Sequence, residues 1–176
     1  MHLITPLGVE KLRTALHVKA KESPGFRFYM LYDKVYRRDV LSFAYALCYA
    51  DRGQPGIDGQ TFQDIASYGT DRWLDELAEG LRKETYEPAP VRRVWIPKSN
   101  GGQRPLGIPT IRDRVVQTAA VLVLEPIFEA DLQPEQYAYR RGKNALDAVN
   151  HVRKLLVSGH TDVIDADLSG YFDHSS

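Results

Sequence analysis

Two places in this sequence set residues of suitable type and spacing for chemistry on phosphates. The first is Lys98 and Arg104, which bracket the turn Ser99-Asn100-Gly101-Gly102-Gln103. Brought together by a hairpin, they offer a polyphosphate a point charge and a bidentate fork. The second is Asp167, which follows the β-branched run 161–166 and precedes Leu168-Ser169-Gly170-Tyr171-Phe172-Asp173. A short buried strand over 161–166 would carry the Asp167 carboxylate to a sheet end, and Gly170 would permit a tight turn after it. Mg²⁺ takes one or two carboxylates together with substrate phosphate oxygens, so Asp167 is a candidate metal ligand. One carboxylate alone does not make a two-metal clamp. Taken locally, each segment also has a plainer reading, a charged surface turn and an Asp-rich strand end.

Charge is informative in its distribution rather than its total. The 176 residues carry 23 Lys+Arg and 23 Asp+Glu, a formal net charge of zero. Residues 82–114, however, hold eight Lys/Arg against three Asp/Glu, and residues 137–154 hold five against one. Phosphate binding follows the local field, so the two basic segments admit a nucleic-acid face. Hydrophobic content of 43% and charged content of 26% are those of an ordinary globular chain. The single cysteine, Cys48, excludes an internal disulfide and falls in an apolar helical pattern, which predicts a buried, unreactive thiol in a reducing compartment. No apolar run nears the roughly 20 residues that span a bilayer, and the N-terminus lacks a signal peptide's pattern, so the expectation is a cytoplasmic protein without a membrane partner.

Helices dominate the elements that would position these groups. Thr5 as N-cap, Pro6 at the first helical position and Ile4 stapled on Val9 predict a first helix ending near Lys21, with Leu12 and Leu16 on its apolar face. Phe28, Leu31, Tyr32, Val35 and Tyr36 predict a second. Asp39 predicts the cap of a third, with Leu41, Ala44, Tyr45, Cys48 and Tyr49 in the core. A glycine-rich loop, 52–61, permits close backbone approach to a neighbour. A short helix from about Phe62 follows, then a longer one capped by Thr70 with Trp73, Leu74, Leu77 and Leu81 inward. Alternation over 91–97 and the return at 104–109 predict a β-hairpin with a basic tip. Thr110 with Asp113 opens a helix with Val115, Val116, Ala119, Val123 and Leu124 inward, which Pro126 should kink or end. Asn144 caps a last helix, with Ala148, Val149, Val152 and Leu155 inward, and Gly159 stops it. His151 has no second His or Cys at metal spacing and is read as an ordinary histidine rather than a ligand.

Several of these strings occur in an order that resembles one family. Asp167-Leu168-Ser169-Gly170-Tyr171-Phe172-Asp173 looks like the first palm motif of reverse transcriptases in their group II intron form, and Gly56-Ile57-Asp58-Gly59 resembles an extra N-terminal motif of such enzymes, whose loop lies by the template. Ile96-Pro97-Lys98, Arg104-Pro105-Leu106-Gly107-Ile108-Pro109 and Arg112-Asp113-Arg114-Val115-Val116-Gln117 match their fingers motif, and Tyr139-Arg140-Arg141-Gly142-Lys143 their next motif, with Tyr139 where Phe is commoner. The resemblance implies an α+β fold, the fingers of a right-hand polymerase running into the first palm strand. Residues 1–26 would be a helical extension, 27–160 the fingers and 161–176 the start of the palm, with the remaining palm and thumb expected downstream.

By the same resemblance Asp167 and the Leu168 carbonyl would bind Mg²⁺ or Mn²⁺, Phe172 would lie beneath the sugar of an incoming dNTP, and Lys98 and Arg104 would grip its triphosphate. Arg92, Arg93, Arg112 and Arg114 suit RNA backbone better than chemistry, while Arg140, Arg141 and Lys143 belong to an aromatic and basic loop suited to bases. The implied activity is RNA-directed DNA synthesis on an RNA template from a DNA primer, with a maturase role on intron RNA. The implied state of this stretch alone is inactive. The competing reading is a noncatalytic RNA-binding module or a degenerate remnant.

Overall fold

Residues 3–99, 101–140 and 142–166 are described by a computed structural model of the chain, which divides after Asp131 into two units. The first unit holds α1 (Leu7–Glu22), α2 (Tyr32–Val35), α3 (Arg38–Ala50), α4 (Phe62–Tyr68), α5 (Thr70–Arg82), the hairpin strands β1 (Arg92–Pro97) and β2 (Gln103–Ile108), and α6 (Ile111–Glu129). The second holds α7 (Ala145–Val157). The class is therefore α+β, with one two-stranded antiparallel sheet among the described residues. No helix among those residues is long and apolar enough to cross a membrane.

Helical periodicity builds the core of the first unit. Val115, Ala119 and Val123 recur every fourth residue on α6 and are fully buried, facing a core shared with Val40, Leu41 and Ala44 of α3. Trp73, Leu74, Leu77 and Leu81 of α5 join it from another side. Each such aliphatic side chain stabilises the fold by about 1.5–3 kcal/mol through burial. Cys48 lies in this core as expected, its Sγ 3.3 Å from Thr118 Oγ1, and burial pushes its thiol pKa up. Tyr45 packs edge-on to Phe62 at 5.6 Å and tilts against Trp73 at 5.9 Å, whereas Tyr49, expected inside, is 59% exposed.

The helix starts differ from expectation in instructive ways. Pro6, not Thr5, holds the N-cap position of α1, and Ile4 is 93% exposed instead of stapled to Val9. Residues 26–31 are irregular and α2 is a single turn, because Tyr32 is drawn to α5, where its hydroxyl donates to the Leu81 carbonyl at 2.8 Å. Asp39 sits inside the first turn of α3 rather than capping it; it accepts from Arg37, which holds its carboxyl below the usual range. Gly69 rather than Thr70 precedes α5, with a φ of 103° that glycine alone adopts readily. α4 opens with a capping box between Thr61 and Asp64.

Pro126 does not end α6, which continues to Glu129 with Pro126 buried inside it. A proline cannot donate to the carbonyl four residues back, here that of Leu122. Arg13 Nη1 of α1 donates to that carbonyl at 3.0 Å while its other nitrogen meets Glu125. One turn further along both helices, His17 Nδ1 donates to the Pro126 carbonyl at 3.0 Å, and another turn on, Lys21 Nζ donates to the Ala130 carbonyl at 3.1 Å. Basic groups at the end of α6 also complement its dipole. Leu122 takes the buried place on α6 expected of Leu124, which is 38% exposed.

In the second unit Asn144 and Asp147 form the expected cap of α7 as a full capping box, and Gly159 follows the helix with a φ of 97°. The expected inner face is absent: Ala148 and Val149 are not buried, and Val152 and Leu155 are 53% and 40% exposed. No other helix or strand is described in that unit to cover them. Residues 161–166 form no strand and are exposed, contrary to the expected first palm strand. A β-branched run becomes a strand only with a neighbour to complete its hydrogen bonds, and no described residue pairs with it.

Candidate nucleic-acid interface

The hairpin places its cations by register. β1 and β2 pair antiparallel with Ile96 opposite Arg104 and Pro97 opposite Gln103. Opposite residues share a face and side chains alternate along a strand, so Arg104 lies on the face of Ile96 and Lys98 has the same parity two residues on. The turn is closed by Lys98 N–H donating to the Gly102 carbonyl at 2.7 Å and Gly101 N–H to the Lys98 carbonyl at 3.1 Å. Lys98 and Arg104 thereby line one cleft of about 420 Å³ with Pro97 and Ser99, and both are exposed. It holds two cations and no carboxylate. A larger share of carboxylates lines the cavity of about 380 Å³ between the glycine-rich loop, α5 and α6, where Asp58, Glu76, Glu87 and Asp113 accompany Arg112. That charge is wrong for phosphate.

At the start of α6, Asp113 is a buried junction, 3% exposed. Thr110 Oγ1 accepts from its backbone N–H at 3.0 Å and donates to its Oδ2 at 2.6 Å. Tyr86 Oη donates to Oδ1, and the N–H of Ala89 donates to Oδ2 at 3.3 Å. Burial first, then the bond to Asp113, pushes the Tyr86 phenol far above its usual range, so it remains a donor. The junction ties the segment entering β1 to the first turn of α6. Sequence reasoning found Thr110 and Asp113 as a local cap but not Tyr86, which is 27 residues away.

The remaining cations serve the protein in varied degree. Arg92 is half-buried and Arg93 exposed on the opposite pleat of β1. Arg112 lies over the Tyr86 ring at 5.3 Å. Arg114 donates to the Gln54 carbonyl at 2.6 Å, clamping the glycine-rich loop on α6. Gly53 and Gly56 allow this: a Cβ on Gly53 would meet Arg114 at 1.9 Å, and one on Gly56 would meet the Thr110 backbone at 2.6 Å. The neighbour whose close approach the glycines permit is thus the start of α6. Gly56→Ala should destabilise the fold by about 2 kcal/mol through overpacking against main chain that cannot swing away. Gly25, where an added methyl group would meet nothing within 4 Å, is the control: Gly25→Ala should leave the urea midpoint unchanged within error, and Gly56→Ala should lower it.

In the second unit Arg140 donates to the carbonyls of Gln133 and Gln136 at 2.6 and 3.1 Å, and Lys143 donates to that of Pro134 at 3.1 Å while lying over Tyr137 at 5.1 Å. His151 accompanies them through a 2.8 Å bond between its Nδ1 and the Tyr137 hydroxyl. Tyr139 projects fully exposed from a backbone with φ of 59°. Arg141, Asp167, Leu168 and Phe172 lie outside the described residues. Trp95, 54% exposed, was not singled out from sequence. The alternation of Arg93, Trp95 and Pro97 against Arg92, Val94 and Ile96 carries that signal.

No family model matches the chain. Its sequence is 35% identical over 174 residues to Protein YkfC of Escherichia coli (strain K12), a match covering 94% of this chain and 45% of that protein. It is 30% identical over 150 residues to Group II intron-encoded protein LtrA of Lactococcus lactis subsp. cremoris, covering 84% of this chain and 24% of LtrA. The Putative COX1/OXI3 intron 1 protein of Saccharomyces cerevisiae is 28% identical over 137 residues, 77% of this chain and 16% of its own length. The chain spans less than half the length of each of these relatives. With matches to several intron-encoded proteins over most of its length, the chain is similar to the group II intron-encoded proteins.

Proposed function

We propose that the chain forms the fingers of an RNA-directed DNA polymerase of the group II intron type, working on template or intron RNA with a DNA primer and a dNTP, and with a maturase role on the same RNA. The observation that carries this reading is the shared cleft of Lys98 and Arg104. Two cations at a hairpin tip, with no acid between Val91 and Arg112, suit a triphosphate. Their part is to bind the triphosphate and orient it by charge, as positioning and electrostatic stabilisation require in phosphoryl chemistry. Phe172 would lie under the sugar. Asp167 and the Leu168 carbonyl supply hard oxygen donors that fit Mg²⁺ or Mn²⁺, and a bound ion would neutralise charge on the phosphates.

The test is a titration with dATP and with deoxyadenosine in Mg²⁺ buffer. The expected result is binding of dATP that weakens as salt rises, with no measurable binding of the nucleoside. Equal binding of the two, or RNA binding without any triphosphate dependence, would overturn this reading in favour of a noncatalytic RNA-binding module. A two-metal clamp also needs carboxylates beyond Asp167. Primer extension by residues 1–176 alone is therefore expected at background level, and templated synthesis would contradict that.

A further inference from the structure

The pleat of β1 divides its side chains into two sets. Arg92, Val94 and Ile96 are half-buried, while Val91, Arg93, Trp95 and Pro97 are exposed. Pro105 stands opposite Trp95 and Gly107 opposite Arg93, both exposed, so nothing bulky crowds this outer face from the partner strand. The chain's other tryptophan, Trp73, is 8% exposed and belongs to the core, whereas Trp95 is 54% exposed. An indole left uncovered on a two-stranded ribbon contributes little to a core. Of the hairpin's cations Arg93 shares its face, Arg92, Lys98 and Arg104 belonging to the other pleat, and no carboxylate occurs from Val91 to Arg112 to oppose it.

We infer that this outer face, centred on Trp95 and Arg93, is a stacking surface for single-stranded RNA, separate from the Lys98–Arg104 cleft. It rests on the RNA partnership of the proposed function and adds a second contact to the same hairpin. Stacking uses the π-face that every base presents, and a neighbouring Arg supplies charge to the backbone, so recognition here is by strand rather than by sequence. Residues two apart on a strand stand roughly 7 Å from one another. Arg93 and Trp95 therefore address successive positions along an extended RNA. Charge complementarity selects a polyanion, since Arg93 lies beside the indole and no carboxylate between Val91 and Arg112 would repel phosphates.

Tryptophan emission reports directly on this face, because Trp95 is accessible to acrylamide and Trp73 is buried. The full chain is titrated with an oligouridylate of about twelve nucleotides, within the site sizes of stacking-based strand binders. The expected result is quenching of Trp95 emission and loss of its acrylamide accessibility on RNA binding. Trp95→Ala should weaken oligouridylate binding about tenfold, and Trp95→Phe should recover most of the loss. Arg93→Gln should reduce the salt slope by about one. None of the three should alter dATP binding, so absence of triphosphate binding in wild type would sink the polymerase reading while leaving this one standing. Oligouridylate binding that leaves Trp95 open to acrylamide would overturn the inference even if Trp95→Ala fails to fold. Shielding of Trp95 that grows with protein concentration in the absence of RNA would likewise overturn it and assign the face to a second copy of the chain.

Discussion

Lys98→Ala and Arg104→Ala are each expected to weaken dATP binding about tenfold or more, since a hydrogen bond to a charged partner contributes about 1.5–3 kcal/mol. The double substitution should cost more than either single and less than the product of the two, because the two side chains line one cleft and would share one ligand. Lys98→Arg should be tolerated better than Arg104→Lys, since the fork of Arg104 can hold two phosphate oxygens where an ammonium holds a point. Both residues are exposed, and the turn beside them is closed by backbone bonds, so the variants should unfold at the wild-type urea midpoint. Unchanged stability with lost dATP binding identifies the cleft as a triphosphate site. Retained dATP binding in the double variant would remove Lys98 and Arg104 from that role.

Asp113→Ala is expected to destabilise the chain by about 3 kcal/mol or more, the largest effect of any single polar substitution in the first unit. The carboxylate accepts from the Tyr86 hydroxyl, the Ala89 N–H and the Thr110 hydroxyl, and its removal leaves these donors in a protein interior without a partner. Tyr86→Phe should cost less, because it deletes one donor and leaves the acceptor with two. Equilibrium urea unfolding of the three proteins measures the order directly. An Asp113→Ala midpoint equal to wild type would mean that the junction is not closed in solution. The consequence reaches the Lys98–Arg104 cleft, because the segment that Asp113 secures leads straight into β1.

What could be read from the sequence divides along the range of the interactions. The Thr110–Asp113 start of α6 and the Asn144 cap of α7 were legible because a cap is decided within four residues. The hairpin was legible from alternation, and with it the approach of Lys98 and Arg104 to one cleft. Phe28 to Tyr36 kept helical spacing but formed only one turn, since Tyr32 answers to the Leu81 carbonyl 49 residues away. Pro126 was expected to kink or end α6 because nothing local shows that Arg13, 109 residues earlier, serves the carbonyl it frees. The same limit applies to the cations. Composition marks Arg114, Arg140 and Lys143 as a nucleic-acid face, yet each donates to a main-chain oxygen of its own unit. The roles assigned to Asp167, Leu168 and Phe172 come from resemblance alone.

The row of Arg13, His17 and Lys21 on the carbonyls of Leu122, Pro126 and Ala130 ascends in step on both helices, so α1 and α6 run parallel there with matched increments of one turn. Taken alone such a ladder is translationally degenerate: sliding one helix by about 6 Å, four residues of rise, would offer each side chain another carbonyl. Pro126 marks one of these alignments. Leu122 has lost its helical donor to the proline, so in the observed alignment the Arg13 guanidinium meets an interior carbonyl not already engaged along the helix. The proline acts as the marked notch on an otherwise uniform ruler, and Pro126→Ala, by restoring the missing N–H, would erase the mark and leave the alignment to the burial of Val9, Leu16 and Ala20.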